Sequence, residues 1–442
     1  MWERVREKML EHPEAVISEG ERRITFVEAV GIAESVSKDL KDEKCVGVNC
    51  ESEFDQALGI LVCFAAGVTA VPLCRRYGEI HSDSILDVIN PTAFITDGLH
   101  IEYRDDRYSP PDGDPALIMF TSGTTGKPKG AMMGGEGILA NVEGICGYFS
   151  IGPEDRILIA RPLFHSAVLV GEFLTALFKG CCIRFYSGKF DPLRLLGIIK
   201  DEGMTVMCGT PTFMGIMARF IRHGETGIRK IAISGEILYP KKAEMIREAF
   251  PYADIYHVYG LTEAGPRVSY LPPECFDTRP DCVGIPLQGV YTKLVEEYPG
   301  INILYVKSKS VMMGYYGDPG KTRDVLDEEG WLRTGDIARI EDSYLKLRGR
   351  IDGMIIRSGV NIYPAEIERR LSASGLVKEV AAFAKWTDSG DVRIVLRISG
   401  DFESRDDVRK LCIKLLPAHE IPDVIELYDE LPKNASGKIL RS

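Results

Sequence analysis

The chain has 442 residues, with 54 basic and 65 acidic side chains and a net charge of −11. That length calls for two or more cores, and the acidic balance argues against broad nucleic-acid or anionic-membrane binding. A hydrophobic fraction of 45% and a charged fraction of 27% are those of a soluble globular protein.

Residues 1–11 lack the apolar core of a signal peptide. Residues 26–40 read as an amphipathic helix and 45–48 as a strand. Residues 57–74 are uncharged and long enough to suggest a membrane span, but Gly67, Thr69 and Pro72 divide them. They predict a buried helix ending near Gly67 and a short strand through Val71, with no membrane span. Strand patterns follow at 93–96, 116–120, 157–160, 182–186, 206–208, 230–234 and 255–258, with helical patterns between them such as 192–201 and 241–250. Strands alternating with helices imply α/β layers around parallel sheet.

From 283 to 340 the pattern turns β-rich, with strand runs at 291–295 and 301–306. Beyond Asp352 a small α+β pattern appears. It holds a strand at 355–356, a helix from Pro364, strands at 380–384 and 392–398, and a helix over 404–416. Proline suits the first position of that first helix, and Glu366 and Glu368 are expected in its first turn. The expected fold is therefore α/β: a large N-terminal domain of layered sheets with a β-rich portion, residues 1–351, then a small mobile α+β C-terminal domain, residues 352–442. The 11 cysteines are scattered without a Cys-x-x-Cys pair. Cys63, Cys181 and Cys182 read as small core residues, and a reducing cytoplasm fits best.

The strongest chemical signal is Thr121-Ser122-Gly123-Thr124-Thr125-Gly126-Lys127-Pro128-Lys129-Gly130, directly after a predicted strand. Small hydroxyl residues and glycines let backbone N–H groups approach phosphate oxygens, and Lys127 and Lys129 add local positive charge. Pro128 stands where a Walker A loop needs Ser or Thr. That weakens a P-loop NTPase reading, which predicts acid-independent ATP hydrolysis.

Five more segments follow in order: Tyr259-Gly260-Leu261-Thr262-Glu263, Leu332-Arg333-Thr334-Gly335-Asp336, Gly349-Arg350-Ile351-Asp352, the run from Ser358-Gly359 to Glu368, and Leu431-Pro432-Lys433-Asn434-Ala435-Ser436-Gly437-Lys438-Ile439. Together with the first they resemble the adenylate-forming superfamily of acyl- and aryl-CoA synthetases, adenylation domains and luciferases, over nearly the whole chain.

The resemblance implies a nucleotide site built from Thr121, Ser122, Gly123, Thr124, Thr125, Gly126 and Lys129, from Ser234, Gly235 and Glu236, and from Tyr259, Gly260, Leu261 and Thr262. Glu263 lies just past a strand end, where α/β folds place ligands, and a carboxylate there suits Mg²⁺ between phosphates. Tyr259 is placed to stack on adenine, Asp336 to accept from the ribose hydroxyls, and Arg350 to reach ribose or phosphate. Catalytic roles fall on Lys438, Glu263, Thr262 and His165. The Lys438 ammonium would bridge the attacking carboxylate and the phosphate and ribose oxygens as charge develops. Asp352 matches the pivot of the small domain, whose rotation brings Ser358 and Gly359 to a thiol tunnel.

The implied reaction joins a carboxylic acid to ATP as acyl-AMP, then passes the acyl group to a thiol. Coenzyme A is the first choice of acceptor, and the phosphopantetheine of a separate carrier protein is the alternative. A nucleotide-binding regulatory protein without catalysis is the reading from another class. His165 is assigned gating and positioning; amino-acid activators usually carry Asp there, so an acid without an α-amino group is favoured, against a contrary hint from Gly235-Glu236. Phe164, Val168 and Leu169 are expected in the acyl-pocket wall. Arg267 is by default a solvated arginine, with a second reading in which it meets another carboxylate of the substrate. The phosphate loop begins early, so the first subdomain is expected to be trimmed, and a homodimer is compatible with the sequence.

Overall fold

A computed structural model describes the chain apart from residues 78, 105–112, 122–127, 223, 358–359, 387–391, 434–438 and 441–442. Two large sheets carry the first part. The nine-stranded sheet runs Ile285–Pro286, Ser269–Leu271, Asp254–Tyr259, Lys230–Ile233, Val206–Gly209, Arg156–Ile159, Cys182–Phe185, Val16–Glu19, Arg22–Thr25. Its strands from Asp254–Tyr259 to Val16–Glu19 are parallel, and antiparallel strands close both ends. The seven-stranded sheet is centred on Cys45–Val48, Thr69–Pro72 and Pro115–Thr121.

Alternation along the strands sets the layers. Ile157 and Ile159 share a core with helices Glu53–Ala66 and Gly135–Tyr148 and with Val46, Val48, Leu117 and Met119 of the second sheet. Leu158, between them, turns to the opposite face and packs with Leu195, Met214 and Ile246 of helices Pro192–Asp201, Pro211–Phe220 and Pro240–Ala249. Ile118 and Phe120 likewise face Ile85 and Ile89 beyond the second sheet.

The uncharged run resolves as predicted. Ser52 caps helix Glu53–Ala66, Gly67 ends it in the left-handed conformation (φ +70), and strand Thr69–Pro72 follows. No helix among the described residues is long and apolar enough to cross a membrane. The helix expected over 26–40 is α-helical over Phe26–Val36 and tightens to a 3₁₀ turn over Ser37–Leu40. The hairpin Val16–Glu19/Arg22–Thr25 lacked a readable signal: it is short and only partly buried, and it enters the sheet by a long-range pairing of Ile17 with Ile183.

The β-rich portion is a four-stranded antiparallel sheet, Tyr291–Tyr298, Ile301–Lys307, Leu332–Glu341 and Tyr344–Arg350. A turn at Ile351–Gly353 leads to the last part. That part has its own core, including Ile355, Ile367, Leu371, Ile394, Leu396, Val408 and Cys412. Its helix Pro364–Ser372 carries Glu366 in the first turn, as expected, but Glu368 falls one turn later and is buried. There Glu368 accepts hydrogen bonds from the Ala382 amide (2.9 Å) and the Tyr239 phenol (3.0 Å), so it fixes packing and does not serve the helix dipole.

Candidate active site

Parallel strands Arg156–Ile159, Val206–Gly209, Lys230–Ile233 and Asp254–Tyr259 all end on one edge of the nine-stranded sheet. After Tyr259 the chain doubles back so tightly that a Cβ on Gly260 would lie 1.6 Å from the Pro266 carbonyl oxygen. Only glycine fits there. The turn is held from outside by Ser310, whose hydroxyl donates to the Ala264 carbonyl at 2.8 Å, and by the Met312 amide, which donates to the Glu263 carbonyl at 2.9 Å.

Two polar groups face this turn. In the first, the Tyr315 hydroxyl donates to Glu263 Oε1 at 2.9 Å, and Lys129 Nζ sits 5.5 Å from the centroid of the same ring. Burial and then the Glu263 charge push the Tyr315 phenol up, which keeps it a donor. In the second, the Tyr259 hydroxyl donates to Asp336 Oδ2 at 2.5 Å, and Arg350 Nη1 stands 3.6 Å from Asp336 Oδ1. Register explains the latter contact, since Asp336 and Arg350 are direct cross-strand partners. Burial and then Asp336 raise the Tyr259 phenol well above its ordinary value.

On the other side of the turn, Thr262 Oγ1 lies 2.9 Å from Ser166 Oγ. His165 occupies the position just before the helix that begins at Ser166, without a side-chain capping hydrogen bond, and its ring meets Phe164 edge-to-face at 5.5 Å. This helix widens into a π-type segment over Leu169–Leu174, a feature frequent at functional sites. The segment leading into it is held by buried Glu53: Oε2 accepts from the Leu163 amide at 2.9 Å and Oε1 lies 3.1 Å from Arg76 Nη2. Burial outweighs Arg76 and pushes the Glu53 carboxyl up to about 7. Arg161 pairs with Glu172 inside the widened segment.

Arg267 corrects the expectation of a solvated side chain. It is 2% exposed, because the tight turn sends it inward against Gly171, where a Cβ would stand 2.6 Å from Nη2.

Thr121 and Lys129 face each other at the base of the hairpin Pro115–Thr121/Lys129–Gly134. Ser122, Gly123, Thr124, Thr125 and Gly126 lie outside the described residues, as do Ser358, Gly359, Lys438 and the side chain of Asp352. The ends of the Lys438 motif are described: Lys433 bridges to Ile439, and its ammonium is anchored on Glu379 (2.7 Å) and Glu430 (2.8 Å). Ser234 is buried and its hydroxyl has no hydrogen-bond partner among the described residues, and Gly235 takes φ +89. Glu236 accepts from the Thr212 amide (3.0 Å) and hydroxyl (2.6 Å), serving the start of helix Pro211–Phe220.

Sequence reasoning missed Tyr315, Ser166 and Glu53. Tyr315 reaches the site because the two-residue strand Gly314–Tyr315 pairs with Met132 and Ala131, a long-range contact with no local signature. Glu53 reads as an ordinary acidic residue in a helix's first turn.

A layered α/β body with a strand-end turn, an acidic pair held by tyrosines and a separately cored C-terminal part defines a nucleotide-using, two-part enzyme. The family model described as AMP-binding enzyme matches residues 100–316. A feruloyl-CoA synthase from an Amycolatopsis species is 30% identical over 424 residues, 86% of this chain and 84% of that protein. The putative acyl-CoA synthetase YngI of Bacillus subtilis is 31% identical over 354 residues, 76% of this chain and 64% of that protein. The o-succinylbenzoate CoA synthetase of Bacillus subtilis, solved with its acyl-adenylate intermediate, shares the fold with a TM-score of 0.86 at 22% identity, covering 99% of this chain and 96% of that one. The chain belongs to the AMP-binding enzyme family and is an adenylate-forming ligase.

Proposed function

We propose that this chain is an ATP-dependent acid–CoA ligase with its nucleotide site at the turn after Tyr259. The carrying observation is the juxtaposition of Asp336, held by Tyr259 beside Arg350, with Glu263, held by Tyr315 beside Lys129. The first group has the acceptors and charge a ribose diol needs; the second suits phosphates and a divalent cation. The buried unpartnered Ser234 hydroxyl is a further donor left for the nucleotide.

Glu263 would hold Mg²⁺, which supplies neutralisation of phosphate charge. Lys129 and residues 121–126 hold the triphosphate, and Lys438 stabilises the charge that builds as the acid's carboxylate oxygen bonds to the α-phosphorus and pyrophosphate leaves. The thiol sulfur then bonds to the acyl carbon and AMP departs. Residues 352–442 form the mobile part, pivoting at Asp352 so that Ser358 and Gly359 replace Lys438 at the site. The separate core of that part supports this division. All 11 cysteines are free thiols, which supports a reducing cytoplasmic setting.

Acid-dependent ATP–pyrophosphate exchange tests the reading, with Lys438→Ala beside the wild type. Exchange is expected to fall by about 100-fold or more in the variant, with unchanged thermal unfolding. Adding CoA should give a thioester; transfer only to a phosphopantetheinylated carrier protein would reassign the acceptor. Acid-independent ATP hydrolysis untouched by the substitution would overturn adenylation.

A further inference from the structure

The wall beside the Glu263 turn holds a concentration of unbalanced polarity. Seven buried side-chain atoms among the described residues have no hydrogen-bond partner, and Arg161 Nε, Glu172 Oε2 and Arg267 Nε are three of them. Glu172 and Arg161 neutralise each other as an ion pair. Arg267 has no carboxylate within 4.0 Å among the described residues. Its Nη2 lies 3.5 Å from the Ala167 carbonyl oxygen, and it meets the neutral Tyr148 phenol, neither of which balances a charge. Among the described residues the wall therefore carries one net positive charge in a nearly water-free position.

A guanidinium stays protonated under all relevant conditions, and a buried unpaired charge costs several kcal/mol. Three devices nevertheless hold it in place. Asn141 grips the Arg267 backbone from both sides, accepting its N–H at 3.2 Å and donating to its carbonyl at 2.8 Å. Gly171 leaves the space that a side chain would fill. The widened Leu169–Leu174 segment presents that glycine to the guanidinium. Ser166, at the start of the same helix, touches Thr262 of the turn, so this wall adjoins the reaction centre.

Resting on the adenylation reading, we propose that the acyl pocket selects dicarboxylic acids: one carboxylate is adenylated, and the second pairs with the Arg267 guanidinium in the wall. The second carboxylate supplies the missing counter-charge, and the flat guanidinium offers two parallel N–H groups to it. A monocarboxylic acid of the same length would leave the guanidinium buried without its partner, a strong basis for discrimination.

The test is pyrophosphate exchange with matched pairs of acids: hexanoate against adipate, and 3-phenylpropanoate against 3-(4-carboxyphenyl)propanoate. The wild type is expected to favour a diacid by about tenfold or more in kcat/KM, mainly through KM. Arg267→Met should abolish that preference, with kcat/KM for the diacid falling by about tenfold or more relative to that for the matched monoacid. Gly171→Ala, which pushes a methyl group into the guanidinium without removing it, should weaken the preference in the same direction and covers the case in which Arg267→Met does not fold. A wild-type preference for the monoacid in both pairs, or an equal loss with both acids in the variants, would overturn the proposal and leave Arg267 as a packing residue. Absence of acid-dependent exchange with every acid would overturn the adenylation reading itself and the proposal with it.

Discussion

The two edges of the same parallel sheet are built in opposite ways. At the strand starts, Asp155 is fully buried and fully used: it accepts from Lys230 (2.8 Å), Arg229 (2.9 Å), Thr205 (2.7 Å) and the Gly152 amide (3.1 Å). Burial works against its ionised form, but the bonds from Lys230 and Thr205 win and hold its carboxyl below the usual range. At the strand ends, Arg161, Glu172, Ser234 and Arg267 each keep a buried polar atom without a partner among the described residues. One edge has spent its polar groups on joining strands to each other. The other holds them unspent, which costs stability and leaves donors and acceptors for ligands.

Breaking the satisfied edge should have the largest effect on the fold. Asp155→Ala leaves Lys230, which is largely buried, without its counter-charge, and should cost about 3–5 kcal/mol in urea unfolding. Exchange activity per folded molecule should be unchanged. A selective loss of activity would mean that the two edges are not separable.

A smaller effect sharpens the contrast through pH. Glu53, which holds Leu163 near the strand ends, has its carboxyl raised from 4.5 to about 7 by burial. The folded chain therefore keeps a proton that the unfolded chain releases. Its linked contribution is complete below about pH 4.5 and is lost as pH rises to about 7, on the order of 1 kcal/mol per pH unit, then stays level. Glu53→Gln should remove this slope from stability measured across that range. Asp155 has the opposite sign: its depressed value contributes stability that is lost only as pH falls into the acid range.

The smallest expected effect is on ligand affinity. Tyr259→Phe removes the hydroxyl that fixes Asp336 and should raise KM for ATP by more than about tenfold, since a hydrogen bond to a charged group contributes about 1.5 kcal/mol or more. KM should move much more than kcat, because Tyr259 acts here through the orientation of Asp336. An unchanged KM would separate the Tyr259–Asp336 pair from nucleotide binding.

Much of the architecture was legible locally. Gly67 divided the uncharged run because a left-handed helix end favours glycine, and the apolar run from Ile157 read as a strand, although only the structure shows both its faces buried. The Tyr259–Glu263 and Leu332–Asp336 segments were legible as motifs, and the structure brings Tyr259 and Asp336 into contact. What escaped were residues whose partners are distant in the chain. Tyr315 depends on a pairing with Ala131, and Glu368 on Ala382 and Tyr239.

The sequence by itself determined the order of elements, the two-part division as an expectation and the residue types available for nucleotide chemistry, because periodicity, caps and turn residues act over a few positions. Only the tertiary structure decided which of those residues are satisfied. Arg267 reads as a surface charge in sequence, since arginine is usually exposed. It becomes a buried, unbalanced guanidinium because Gly260 forces the chain back on itself, Asn141 clamps the returning backbone and Gly171 leaves the space. Those three residues are separated widely in the chain, and only folding brings them to one side chain.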